Sequence, residues 1–111
     1  VVGAHRERAW GAVVTIGLGG IWIEALRDVR LLAPDLDRDG IIEELQKLKG
    51  AALLGGHRGT PGADLDAVAD CVLRLGALVR GDSRLAEVEI NPLAVYPKGA
   101  LALDVLMHVE E

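Results

Sequence analysis

Two kinds of hydrophobic spacing divide this chain. Near both ends, apolar residues alternate with polar or small ones, as in strands with one buried face. Val1 to Ala4 predicts the end of a strand, followed by a charged loop, His5-Arg6-Glu7-Arg8. Gly11 to Ile16 predicts a second strand, punctuated by Gly17-Leu18-Gly19-Gly20. A third is expected to start at Ile21-Trp22-Ile23 and run on through Val29-Arg30-Leu31-Leu32, where Pro34 stops it. In the middle the spacing changes to 3.6. Ile41, Ile42, Leu45 and Leu48 share one stripe of a predicted helix, with Asp37 or Asp39 as N-cap and Gly50 as the residue that ends it. After a breaker-rich stretch from Gly55 to Ala63, a second helix is predicted from its cap at Asp64 to Gly81. It carries Leu65, Val68, Val72, Leu75 and Val79 on one face.

Alternation then returns. Glu87, Glu89 and Asn91 fall on one face of a strand and Val88 and Ile90 on the other. A turn near Pro97-Lys98-Gly99 leads into Ala100 to Met107, expected as one continuous strand. Strands, two helices and two more strands predict an α+β fold: a mainly antiparallel sheet with both helices on one face.

At 111 residues the chain suits one small domain. Its hydrophobic content of 50% includes only 3% aromatics and no Phe, so the core must be aliphatic. A net charge of −5 argues against nucleic acid as a partner, because neutralising phosphates takes a basic patch. The single cysteine, Cys71, excludes an internal disulfide and a multi-cysteine zinc site. No apolar run is long enough to cross a bilayer, so no membrane partner is expected and the cytoplasm is the expected compartment. Val1 has no initiator Met before it, which suggests a piece of a longer chain.

The chemistry concentrates at the C-terminal hairpin. A two-residue loop at Lys98-Gly99 or Pro97-Lys98 puts Asn91 and Asp104 on one sheet face, directly opposite or diagonal, roughly 5 to 8 Å apart. One amide oxygen and one carboxylate then converge from adjacent strands. Mg²⁺ takes oxygen ligands and commonly uses one or two protein groups beside phosphates and water. The plainer alternative is a strand end at Asn-Pro and a solvated Asp. Gly17-Leu18-Gly19-Gly20 lacks the features of a dinucleotide fingerprint or a Walker A loop, since a strand follows it and no Lys-Ser/Thr pair is present. It reads as a glycine turn between two strands. Glu24 alternates with Trp22 and Leu26 and fits a solvent-facing sheet edge. Cys71 fits a buried structural thiol.

Glu-Ile-Asn-Pro-Leu, a short turn and Ala-Leu-Asp together resemble the C-terminal hairpin of the ATP-grasp domain in NDP-forming acyl-CoA synthetases; the succinyl-CoA synthetase beta subunit is similar. Gly-Leu-Gly-Gly-Ile-x-x-Glu and Gly-His-Arg-Gly-Thr-Pro, residues 56–61, are similar to two further motifs of that family. The resemblance runs from Val1 to about Val109. It implies that Asn91 and Asp104 hold the magnesium of a bound nucleotide, that Gly19 and Gly20 bring backbone N–H groups to phosphates, that Glu24 looks toward the cleft, and that Arg58 offers phosphate a fork of donors. A tie from Arg58 to loop carbonyls is the structural alternative. The implied fragment is residues 1–111 as the C-terminal subdomain of an ATP-grasp domain, itself inactive.

The implied parent is an acid-thiol ligase using Mg²⁺ and ATP/ADP to join CoA to a small carboxylic acid, through an acyl phosphate and a phosphorylated histidine of the enzyme. Its implied partners are the other half of the ATP-grasp domain and CoA-binding domains or a subunit carrying them. Trp10-Gly11, Gly62 and His57 depart from the family's usual residues without removing a proposed ligand. Two alternatives remain open: a ligand-sensing region fused to a protein acetyltransferase, and a non-catalytic interaction module.

Overall fold

The computed structural model describes residues 1–7, 11–17, 28–33, 35–51, 54 and 62–110. The elements run β1 (Val2–Glu7), β2 (Gly11–Gly17), β3 (Val29–Leu32), α1 (Arg38–Gln46), α2 (Leu65–Gly81), β4 (Leu85–Ile90), β5 (Leu93–Val95), β6 (Ala100–Ala102) and β7 (Val105–Val109). Five strands form one sheet in the order β3-β2-β1-β4-β7, and each neighbouring pair is antiparallel. Strands β5 and β6 form a separate two-stranded arm. No helix among the described residues is long and apolar enough to cross a membrane.

Alternation builds the core. Val2 and Ala4 of β1, Ala12, Val14 and Ile16 of β2, Leu32 of β3 and Leu85, Val88 and Ile90 of β4 bury one face of the sheet. Ile41, Leu45 and Leu48 from the α1 region and Val68, Ala69, Val72, Leu75 and Val79 from α2 close over it. The core is aliphatic, and the expected α+β architecture forms, with two helices among the described residues.

Three boundaries differ from the expected ones, each for a local reason. The charged stretch His5-Arg6 lies inside β1, with His5 opposite Val13 and Arg6 opposite Ala12. Arg6 repays its place by donating to the carbonyl oxygens of Val79, Asp82 (3.0 Å) and Leu85 (3.5 Å), so its guanidinium satisfies backbone acceptors at and beyond the α2 C-terminus. Helix α1 stops at Gln46, well before Gly50. There Lys47 and Leu48 tighten onto Glu44 and Leu45 with i→i+3 bonds of 3.1 and 3.2 Å. The N–H groups of Lys49 and Gly50 instead meet the carboxylate of Asp28. The third difference is that residues 100–107 do not form one strand: the chain breaks at Leu103-Asp104 between β6 and β7. Of the third expected strand, residues 21–27 lie outside the described residues, and β3 holds the remainder.

Candidate functional site

From Glu87 to Ile90, beyond a register shift between Leu85 and Glu87, β4 and β7 keep one register with Ile90 opposite Val105, and the arm continues it with Leu93 opposite Ala102. Between these pairs the Asn91 N–H donates to the Asp104 carbonyl at 3.0 Å, and the Leu103 N–H donates to the Pro92 carbonyl at 3.1 Å. Asn91 and Asp104 are thus directly opposite each other. Both residues are exposed, and residues directly opposite on an antiparallel pair share a face. Tyr96 N–H donates to Gly99 O at 3.0 Å, closing the arm over the two-residue loop Pro97-Lys98, one of the two loops expected. Gly99 has φ +88, a conformation that suits glycine. The Asn91-Pro92 peptide is cis.

The sheet topology brings a second motif to this end. Gly17 pairs with Val29. It also bonds Val1 in both directions, at 3.1 and 2.7 Å. Val1 stands one step beyond the Val2–Ile90 pair, level with Asn91. One transverse row therefore runs Val29, Gly17, Val1, Asn91, Asp104. Gly17, the last described residue of β2, stands two strands from Asn91, a lateral distance of about 9.6 Å. Two rows away, half-buried Glu89 leans over Gly3, where a Cβ would sit 3.8 Å from Glu89 Cγ. Gly19, Gly20, Glu24 and Arg58 lie outside the described residues, so only the roots of their segments are fixed here.

Two carboxylates that the sequence does not flag as site residues hold those roots. Asp28 is 2% exposed. One of its oxygens accepts from Lys49 N–H and the other from Gly50 N–H at 2.8 Å, tying the residue after the 18–27 segment to the chain just before the 55–61 segment. Asp64 caps α2 through Ala67 N–H (3.0 Å). Its other oxygen accepts from Gly99 N–H (2.7 Å), while its own N–H donates to Tyr96 O (2.8 Å). The Gly99 and Ala67 bonds hold its carboxyl below the ordinary aspartate range. A single residue thereby fastens the arm tip to the helix. The signal available for Asp64 was its cap position; Asp28 gave none beyond a carboxylate next to an apolar run.

Among the described residues no group of three or more His, Cys, Asp or Glu side chains is placed to hold a metal ion. A fully protein-made metal cage is therefore not present in them. An amide oxygen and a carboxylate facing each other are a hard, two-donor set, which fits Mg²⁺ with its other positions filled by phosphate and water. Cys71 is half-buried, and burial pushes its thiol up, away from thiolate chemistry.

The profile of the ATP-grasp domain family matches residues 1–109. The chain belongs to that family. It is 38% identical over 112 residues to a trans-feruloyl-CoA synthase from an unknown prokaryotic organism, covering 99% of this chain and 16% of that protein. It is 32% identical to the beta subunit of the ADP-forming acetate–CoA ligase I of Pyrococcus furiosus, covering 96% of this chain and 46% of that one. Among solved structures, the dinucleotide-forming acetyl-coenzyme A synthetase 1 of Ca. Korarchaeum cryptofilum, in complex with coenzyme A and Mg-AMPPCP, superposes with a TM-score of 0.90. Identity there is 30%, over 98% of this chain and 51% of that one. This ATP-grasp chain thus spans about half the length of the ligase subunit and of the solved chain, and less of the longer synthase.

Proposed function

We propose that this chain is the C-terminal half of the ATP-grasp domain of an ADP-forming acyl-CoA synthetase, an acid-thiol ligase. The observation that carries the reading is Asn91 opposite Asp104, at the sheet end where the glycine turn also begins, in a chain whose relatives are named as ligases of this type. Those names favour the ligase over an acetyltransferase-fused sensor or an interaction module.

In this reading Asn91 Oδ1 and the Asp104 carboxylate hold the Mg²⁺ of a bound ATP. The metal would supply charge neutralisation on the phosphates during phosphoryl transfer. The chain's own residues do the positioning. β4 and β7 fix the spacing of the two donors, Asp64 fixes the arm beyond them, and Asp28 ties its own stretch to Lys49 and Gly50. CoA and a small carboxylic acid are handled by the rest of the longer protein, and the acyl group is chosen there.

The test is Asp104→Asn in the longer protein, assayed for ATP-driven enzyme phosphorylation across a Mg²⁺ titration. The amide keeps the shape and removes the charge, so the variant should need more Mg²⁺ or reach a lower rate. Its unfolding free energy should move by less than about 0.5 kcal/mol, as for an exposed side chain. Unchanged rate and unchanged Mg²⁺ dependence would remove the metal site.

A further inference from the structure

Helix α1 packs against β3 and α2, and α2 packs on β2, β1 and β4. Counting along the sheet, β1 lies two strands from β3, and β7 lies two strands beyond β1. Two strand spacings come to about 9.6 Å, which falls within the roughly 8–10 Å separation of packed helices. The layer that begins with α1 and α2 therefore has a third position, over β7.

The side chains at that position are built for cover. Register places Val105 with Ile90 and Met107 with Val88, on the face where Ile90 and Val88 are buried. Yet Val105 is 49% and Met107 54% exposed. Val109, paired with Leu85, is 57% exposed. Leu78 of α2 is also 50% exposed, and an open hollow of about 410 Å³ lies between α2 and the arm. Asp70, Cys71, Arg74 and Leu75 of α2 form one wall of this hollow, and Leu93, Ala100 and Ala102 line the other, with Ile90 beside them. Apolar strand residues beneath a helix wall of Ala67, Cys71 and Leu75, with Asp70 and Arg74 among them, can seat a helix with one apolar face and a polar edge, and an exposed apolar patch marks an interaction surface.

We propose that an apolar-faced helix, supplied by the part of the longer ATP-grasp protein outside these 111 residues, occupies this third position. The proposal rests on the reading of the chain as half of an ATP-grasp domain. Relatives of that length have as much chain again to supply it: this chain covers 46% of the ligase subunit and 51% of the solved synthetase chain. Among the described residues a second copy offers only Ala77 and Leu78 of α2 as exposed apolar helix surface, too little for such a face. The exposed residues of α1 are Arg38, Asp39, Glu43 and Gln46, and those of α2 include Asp66, Arg74 and Arg80.

A diazirine amino acid placed at position 107 alone, by site-specific incorporation, can report on this seat in the longer protein with little change of shape from the Met107 side chain. Irradiation should join residue 107 to a segment of the same chain outside these residues, at positions spaced three and four apart. In parallel, Met107→Cys should react with a maleimide roughly a hundredfold more slowly than Glu43→Cys, as expected of a covered side chain that opens rarely. Reaction of both cysteines at one rate would overturn the proposal. So would cross-links to a second copy, which fade on dilution, or cross-links at every second residue, which mean a strand. ATP-driven phosphorylation of the same preparation separates the two ideas. If it is absent while the helical cross-links persist, the ligase reading fails and the covered seat stands.

Discussion

Strands β1 and β7 both pair antiparallel with β4, one on each side of it. β7 is the more hydrophobic, with Val105, Leu106, Met107 and Val109 among its five residues, whereas β1 reads Val-Gly-Ala-His-Arg-Glu. Yet Val2 and Ala4 of β1 are 2% and 1% exposed, and every residue of β7 is exposed. Burial here follows position beneath α2, not the composition of the strand. The comparison also places the chemistry. Asp104 heads the bare strand and Asn91 faces it, so the proposed metal donors stand at the margin of the packed core, where side chains are free to meet a ligand.

The largest test of that contrast lies on the covered side. Ile16 is fully buried beneath the helices, so Ile16→Ala should cost about 2–5 kcal/mol in urea unfolding, through lost transfer energy and a cavity. A cost below 1 kcal/mol would mean that the helix layer is not closed over β2. Next in size is Asp28→Ala. It leaves the Lys49 and Gly50 N–H groups without their acceptor, at about 1–3 kcal/mol for each that finds no water. Asp28→Asn retains one oxygen and should fall between the two. In the longer protein both should impair phosphorylation, because the segments bearing Gly19, Gly20, Glu24 and Arg58 lose a common anchor.

Asp64 gives a smaller effect with a distinctive pH signature. Its folded carboxyl titrates below the ordinary value of 3.8. Its stabilisation is therefore complete above that value and is lost as pH falls through the lower folded one. Asp64→Ala should lower the melting temperature near neutral pH and lower it progressively less below about pH 3.8. A gap between wild type and variant that stays constant down to pH 2 would show that the Gly99 and Ala67 bonds do not depend on the charge.

Much of this architecture was legible in the chain. Val88 and Ile90 against Glu87 and Glu89 announce a half-buried strand, and Val68, Val72, Leu75 and Val79 announce the helix above it. A two-residue loop and a constant period then force Asn91 to face Asp104. What period cannot show is where a polar backbone group finds its partner. Arg6 reads as loop until the α2 carbonyls are there to receive it. Gly50 reads as a helix stop until Asp28 takes its N–H. The break at Leu103-Asp104 is equally silent, because both flanking stretches are apolar and alternate. Gly19, Gly20, Glu24 and Arg58 rest on motif resemblance alone, since their positions are outside the described residues.

The smallest expected effect sharpens the comparison most. In the 111-residue chain, Met107→Ala removes a side chain that is 54% exposed, and the unfolding free energy should change by less than about 0.5 kcal/mol. The same substitution in the longer protein meets a different environment if a helix sits over β7. It then removes a buried methionine and should cost about 2–5 kcal/mol. Val2→Ala in β1 serves as the reference: Val2 is buried under the helices already present, so its cost should be the same in both lengths of chain. A Met107→Ala cost that grows with chain length, beside a Val2→Ala cost that does not, assigns the difference between β7 and β1 to a missing cover. Equal, small costs for Met107→Ala in both would mean that β7 is a true edge, with its apolar side chains left to solvent in the whole protein as well.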